Sequence, residues 1–225
     1  TIFEEYVMVG HTVGVKQTIL LPFVITGSLI NFCDVLMAGG TSLENHSEVG
    51  SSYIHFNFTP HQDKATASLV GDVVNGVWLD KAPIFLGGQG GLVGPRRIAY
   101  GTVVSAGIIL RRDVTNEGML LSGGDSGKNR ERPYNLKTYG QIRDVVENCL
   151  EYIAQIKCLY IWYKEIRSLY LPKQLLNGAV KRLEQVFAER MFWLNELVKK
   201  LKISVEAAGP RRTSSIFVAQ QSFID

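Results

Sequence analysis

The chain has 225 residues, of which 46% are hydrophobic and 20% are charged, proportions typical of a folded protein with one or two hydrophobic cores. This composition excludes disorder of the whole chain. The formal net charge of +3 comes with short basic pairs and no concentrated basic run, so we expect neither nucleic acid nor a membrane as a partner.

Hydropathy and cysteine usage limit the cellular setting. The apolar stretch from Ile19 to Phe32 is interrupted by Pro22 and by three small residues, and it is shorter than the roughly 20 residues of a spanning helix. The three cysteines form no CxxC pair, so the sequence predicts neither a metal site nor a disulfide framework. Together these features favour a reducing, cytoplasmic location.

Aliphatic residues recur every six positions in two runs of the first half of the chain. The first run has one polar exception, at Asn31, and its members are Ile19, Ile25, Met37, Leu43 and Val49. The second run consists of Leu86, Leu92, Ile98, Val104 and Leu110. This period is typical of a parallel β-helix, in which about 18 residues make one turn and the periodic residue faces inward. An antiparallel sandwich is the alternative, but it gives no reason for one register over five residues.

The composition changes after residue 114. Residues 115–135 are rich in Gly, Asp, Asn, Arg and Lys, which predicts a linker or exposed loop. Residues 136–205 carry apolar positions spaced alternately by four and three, and these predict two amphipathic helices. Pro172 lies between the helices, so we expect an antiparallel hairpin. Arg190 falls on the apolar seam, where its charge needs a carboxylate or a route to solvent. Residues 206–225 are predicted to form an irregular extension.

Several short motifs of residues 9–114 resemble those of the GlmU family, which makes UDP-N-acetylglucosamine by acetyl transfer and uridylyl transfer. Val9 to Lys16, VGHTVGVK, is similar to the family's VGNFVEVK, and Gly27 to Asp34, GSLINFCD, is similar to GHLTYLGD. The resemblance implies a mainly β fold, a left-handed parallel β-helix of hexapeptide repeats over residues 1–114, followed by the helical hairpin. It also implies a homotrimer.

The same resemblance implies a set of binding residues. Lys16 occupies the place of a lysine that binds the sugar nucleotide, and Asn31 stands where the second motif has a tyrosine. Asn57 and Phe58 match an Asn-Tyr pair at the sugar and acyl-donor site, and Lys64 is close to a following lysine. Ala106, in VSAG, stands where the pantetheine arm of acetyl-CoA passes, which makes acetyl-CoA the expected acyl donor.

The general base of the family is missing. Its histidine is replaced by Ser28, whose hydroxyl cannot take a proton from the sugar amine as imidazole can. His46 and His55 are the candidate catalytic replacements. His55 stands at the inward phase six residues after Val49, so an interior histidine with satisfied hydrogen bonds is the alternative interpretation.

Three functions therefore stay open at this point. The first is a sugar-nucleotide-binding protein with weak, altered or no acetyltransferase activity. The second is a non-catalytic module that assembles a nucleotidyltransferase. The third is an active acyltransferase that uses His46 or His55. The sequence has no Gly-rich nucleotidyltransferase motif of its own.

Overall fold

The computed structural model describes residues 1–61, 64–123, 138–140, 142–209 and 214–224. It divides into two compact units. The first unit comprises Thr1–Phe58 and Ala67–Gly127, and the second comprises Thr59–Thr66 and Lys128–Asp225. Most of the predicted linker, residues 124–135, lies outside the described residues.

The first unit consists of two parallel sheets, and the chain passes repeatedly from one to the other. The eight-stranded sheet contains β1 (Ile2–Phe3), β3 (Val13–Leu20), β5 (Ile30–Met37), β7 (Ile54–Asn57), β8 (Ser68–Val70), β10 (Gly91–Gly94), β11 (Arg97–Ile98) and β13 (Ile109–Leu110). The six-stranded sheet contains β2 (Met8–Val9), β4 (Val24–Thr26), β6 (Ser47–Val49), β9 (Phe85–Leu86), β12 (Val103–Val104) and β14 (Leu120–Leu121). A short helix, α1 (Val73–Gly76), precedes β9.

The predicted fold class, a mainly β left-handed parallel β-helix, is wrong. The chain is α/β, with 37% of the described residues in helices and 24% in strands of two parallel sheets. The pairing interval is also irregular, since Ile2 lies opposite Ile19 whereas Val49 lies opposite Leu86. Insertions of unequal length between paired strands therefore break the six-residue repeat on which the prediction depended.

The six-residue period predicts burial well in one run and poorly in the other. All five members of the second run, from Leu86 to Leu110, are at most 3% exposed. In the first run Leu43 is 37% exposed and Ile25 is half-buried. Val24 and Thr26 are buried on either side of Ile25, because side chains alternate between the two faces of β4. In β4, therefore, burial follows the alternation of side chains along the strand and not the six-residue period.

Turns between strands hold several residues other than glycine at positive φ. Tyr6 and Phe23 have φ values of 59° and 64°, and they precede the paired strands β2 and β4. Their rings stack with centroids 5.4 Å apart and planes inclined by 8°. The stacking offsets part of the cost of a left-handed backbone, which is of the order of 1–3 kcal/mol for a residue with a Cβ.

The second unit is helical. Its helices are α2 (Arg143–Glu165), α3 (Lys173–Ala207) and α4 (Ser215–Ile224), with a short 3-10 helix at Arg167–Leu169. The start of α2 packs on the end of α3 through Ile142, Val146, Leu197 and Leu201, so these two helices are antiparallel. Residues 206–225, predicted to be irregular, include α4, and this helix packs Phe223 and Ile224 against the same cluster.

A set of buried hydrogen bonds joins α3, α4 and residues 139–140, which precede α2. Ser204 donates its hydroxyl proton to Oε1 of Gln220 at 2.8 Å, and its oxygen accepts from the backbone N–H of Tyr139 at 2.9 Å. Gln220 donates through Nε2 to the carbonyls of Tyr139 and Gly140 at 3.0 and 3.1 Å. Because Ser204 and Gln220 are fully buried, each donor and acceptor depends on the others.

Candidate functional site

Two of the predicted binding residues lie on the outward face of adjacent strands. Lys16 on β3 is opposite Cys33 on β5, and Gly14 is opposite Asn31. Lys16 and Asn31 are exposed, whereas Phe32, which follows Asn31, is 1% exposed. The thiol of Cys33 donates a hydrogen bond to Oδ1 of Asn31 at 3.4 Å and so restrains the amide.

The neighbouring strand β7 extends this face with apolar side chains. Ile54 is opposite Asn31 and is 50% exposed, and Phe56 is 48% exposed on the same side of β7. We call the outward set Lys16, Asn31, Cys33, Ile54 and Phe56 the outer patch. It combines one cation, one amide and one accessible aromatic ring on three adjacent strands. Phe56 was missed from sequence because it belongs to none of the short motifs that identified the other residues.

Asn57 lies on the opposite face from the outer patch. Its Nδ2 donates to Oδ2 of Asp34 at 3.5 Å, and Asp34 has a φ of 59° within β5. A Cβ added at Gly94, which is paired with Asn57, would lie 2.6 Å from Oδ1 of Asn57, 2.6 Å from Nε2 of His55 and 2.5 Å from Oγ of Ser68. The three polar atoms therefore converge on the Gly94 backbone, and only glycine fits there.

His55 is an interior residue. It is fully buried, and its Nε2 lies 2.7 Å from Oγ of Ser68, which accepts a hydrogen bond from the backbone N–H of Arg96 at 2.9 Å. Burial lowers the pKa of His55 to about 4, although a backbone hydrogen bond with Cys33 opposes this shift. The neutral ring therefore accepts the proton of Ser68, and the imidazole has no exposed surface on which to meet a substrate.

His46 lies apart from the binding residues, immediately before β6 of the six-stranded sheet. Its Nδ1 lies 2.6 Å from the carbonyl of Leu43, and its Nε2 lies 3.6 Å from Oε2 of Glu48. The carbonyl contact fixes the proton on Nδ1, so Nε2 is the nitrogen that faces the carboxylate of Glu48. The structure thus brings His46 together with Glu48 and not with Lys16, Asn31 or Asn57.

The remaining predicted residues are dispersed. Phe58 is 68% exposed, and its N–H donates to the carbonyl of Gly94 at 3.4 Å. Ala106 lies on an exposed turn between β12 and β13, with its backbone nitrogen close to Gly87. Lys64 belongs to the second unit, where its ammonium group pairs with the carboxylate of Glu189.

A cleft of about 700 Å³ lies at the last strands of the first unit. Its walls run along Ile108–Asn116 and Met119–Gly123, and they include none of the predicted site residues. Within the described ranges there is no group of three or more His, Cys, Asp or Glu side chains that could hold a metal ion. None of the helices described is both long enough and apolar enough to cross a membrane.

Comparison with models of known protein families found no match to this chain. A search of curated proteins likewise found no relative. The GlmU resemblance therefore rests on the short motifs quoted above, and the function it implies is a matter of proposal.

Proposed function

We propose that the chain binds a sugar nucleotide of the UDP-N-acetylglucosamine type on the outer patch, without the histidine base of the acetyltransferases it resembles. The observation that carries this proposal is the position of Lys16 relative to Phe56. Lys16 on β3 is opposite Cys33 on β5, and the exposed ring of Phe56 is on β7, the next strand after β5. Two strand spacings, about 10 Å, suit a ligand with an aromatic base at one end and phosphate at the other.

Each side chain of the outer patch has a chemical role in this proposal. The ammonium group of Lys16 pairs with a phosphate, the ring of Phe56 stacks on the base, and the amide of Asn31 binds a sugar hydroxyl. Phe58 is exposed just beyond the end of β7 and is the residue nearest in sequence to Phe56 that could extend the patch. Asn57 lies on the opposite face, where it bonds Asp34, and has no direct contact in this proposal. Lys64, which belongs to the second unit, and Ala106, which lies on the turn between β12 and β13, take no part in the outer patch. Their predicted roles as a phosphate contact and as a contact for acetyl-CoA, the acyl donor, are therefore kept separate from it.

The burial of His55 supports a binding role over acetyl transfer. A base for acetyl transfer must reach the sugar amine and be unprotonated near neutral pH, and His55 meets only the second condition. The third function, an active acyltransferase, would require His46 as the base, with the substrate bound next to Glu48 and in reach of Nε2.

Thermal-shift measurements with three ligands test the proposal. A ligand that binds only the folded state raises the melting temperature in proportion to the logarithm of its concentration. We expect a shift with UDP-N-acetylglucosamine and a smaller one, or none, with glucosamine 1-phosphate, which lacks the base. Acetyl-CoA mixed with glucosamine 1-phosphate should release no CoA. Absence of any shift with all three ligands would contradict the proposal.

A second candidate function, assembly as a cytoplasmic homotrimer, is favoured by the six-stranded sheet. A cross-strand row on its outward face pairs Met8, Ile25, Glu48, Phe85, Val103 and Leu120 in register. Four of these six side chains are apolar and between 38% and 65% exposed. A flat apolar row of this kind suits packing against another copy of the chain.

The mass of the protein in solution tests assembly separately from ligand binding. Phe85→Glu should dissociate the assembly, because it places a charge in the apolar row. Val74→Glu is the matched control, since Val74 is 52% exposed and lies outside that row. Light scattering that gives a monomer for the wild-type protein would exclude this function.

A further inference from the structure

The residues on either side of Gln62 and Asp63 contact the helices of the second unit at several points. The ammonium group of Lys64 pairs with Glu189, and Arg190, the next residue of α3, donates from a terminal guanidinium nitrogen to the carbonyl of Ala65 at 2.6 Å. Two consecutive helix residues thus hold two consecutive loop residues.

The other described flank of the loop contacts the same helix. Lys200 Nζ donates to the carbonyl of His61 at 3.4 Å, and the ring of His61 stacks on Tyr139 with centroids 4.4 Å apart. Lys200 follows Arg190 by ten residues, or about 15 Å along a helix. The contacts with α3 therefore extend over about three turns of that helix, and Tyr139, which precedes α2, adds the stacking contact.

Arg190 is the centre of this arrangement. Its side chain is 4% exposed, although it carries a charge and lies on the apolar seam of α3. Burial raises the pKa of the nearby Cys149 thiol on α2, whereas the charge of Arg190 and a hydrogen bond with Thr66 lower it. Arg190, Cys149 and Thr66 are therefore neighbours. Arg190 on the seam of α3 contacts the loop, whereas Leu197 and Leu201 further along the seam pack with Val146 of α2.

A buried guanidinium group needs hydrogen-bond acceptors, and a loop needs donors for its carbonyls. In the structure, the guanidinium group of Arg190 finds its acceptor in the backbone carbonyl of Ala65. We infer that α3 is the anchor of the Lys64–Thr66 segment, with Arg190 as the positioning residue that fixes its conformation. This inference goes beyond ligand binding, since it concerns the loop alone.

Cleavage by trypsin after Lys64 measures the anchor directly. The protease must draw the segment away from α3 before it can cut, so the rate follows the population of the released loop. Arg190→Gln removes the charged donor, and we expect cleavage after Lys64, followed by mass spectrometry, to accelerate about tenfold or more. Arg190→Lys keeps a charged donor and should restore most of the protection.

If Arg190→Gln does not fold, Glu189→Gln still tests the inference, and Arg182→Gln serves as its control. Glu189→Gln affects a half-buried ion pair, so it should fold normally and accelerate cleavage by a smaller factor. Arg182→Gln is the matched control, because Arg182 is exposed on the same helix and donates to Oε1 of Gln185 at 2.9 Å, within α3 itself. In Arg182→Gln, cleavage after Lys64 should proceed at the wild-type rate.

Equal cleavage rates after Lys64 in the wild type, Arg190→Gln and Glu189→Gln would overturn the inference. Equal acceleration by Arg182→Gln would also overturn it, because the effect would then reflect general loss of stability. All rates are measured without ligand. Failure of UDP-N-acetylglucosamine to bind would therefore remove the proposed function and leave this result unaffected.

Discussion

The hydroxyl oxygen of Ser68 lies 2.7 Å from Nε2 of His55, and both side chains are fully buried. The same oxygen accepts the N–H of Arg96, so its proton is directed to the imidazole. This arrangement requires a neutral histidine, and it links the interior of the eight-stranded sheet to the pH of the solution.

The stability of the first unit should fall as the pH falls from 6.5 to 4. An unfolded histidine binds a proton below its ordinary pKa of 6.5, whereas folded His55 does so only near its pKa of about 4. The unfolded state then holds more protons, so stability declines by up to about 1.4 kcal/mol per pH unit, or about 3 kcal/mol in total. Urea unfolding at pH 7.5, 6 and 5 measures the slope. His55→Gln should flatten it, and an unchanged slope in that variant would contradict the assignment.

Gly94→Ala should destabilise the first unit by more than about 2 kcal/mol. Its Cβ would lie within 2.6 Å of polar atoms of His55, Asn57 and Ser68, and neither His55 nor Ser68 can move without loss of the buried hydrogen bond between them. Gly14→Ala is the control in the same sheet, because its Cβ would meet nothing closer than 3.7 Å. The melting temperatures of the two variants decide the matter, and a similar loss in both would remove the special role of Gly94.

Leu92→Ala should cost about 2–5 kcal/mol, whereas Ile54→Ala should cost much less. Leu92 is 1% exposed and lies opposite His55, and Ile54 is 50% exposed on the neighbouring strand. The pair therefore compares the inward and outward faces of β10 and β7. Chemical denaturation of both variants gives the two values, and equal costs would show that the outward face is covered.

Gln220→Ala should destabilise the second unit by about 2–3 kcal/mol, because it removes the acceptor of the buried Ser204 hydroxyl proton and the Nε2 donor to the carbonyls of Tyr139 and Gly140. Ser222→Ala, at an exposed position two residues later on α4, should be close to neutral. Loss of helical circular dichroism on heating follows this unit. If both variants melt with the wild type, α4 contributes nothing to its stability.

The sequence predicted local features better than the architecture. Aliphatic spacing identified the buried residues from Leu86 to Leu110, and heptad spacing identified α2 and α3, because both patterns follow from one element alone. The fold class was wrong because the unequal intervals between paired strands depend on insertions, whose effect on register no local pattern reports.

The candidate site was only partly accessible to sequence reasoning. Lys16 and Asn31 were found through short motifs, and the structure places them on adjacent strands. Phe56 alternates with buried His55, so a strand assignment at Ile54–Asn57 would have placed it outward. Arg190 was recognised from sequence as a charged residue at an apolar helix position. Its partner is a backbone carbonyl 125 residues away, and a backbone group cannot be predicted from the identity of a side chain.

Isothermal titration with UDP-N-acetylglucosamine tests the central claim, binding on the outer patch, most directly. We expect measurable binding to the wild-type protein, with Lys16→Ala and Phe56→Ala each weakening it about tenfold. Lys81→Ala is the charge-matched control, since Lys81 lies in the same unit and pairs with Glu117, and it should bind as the wild type does. Equal affinity in all four proteins, or no heat of binding in any of them, would contradict the account.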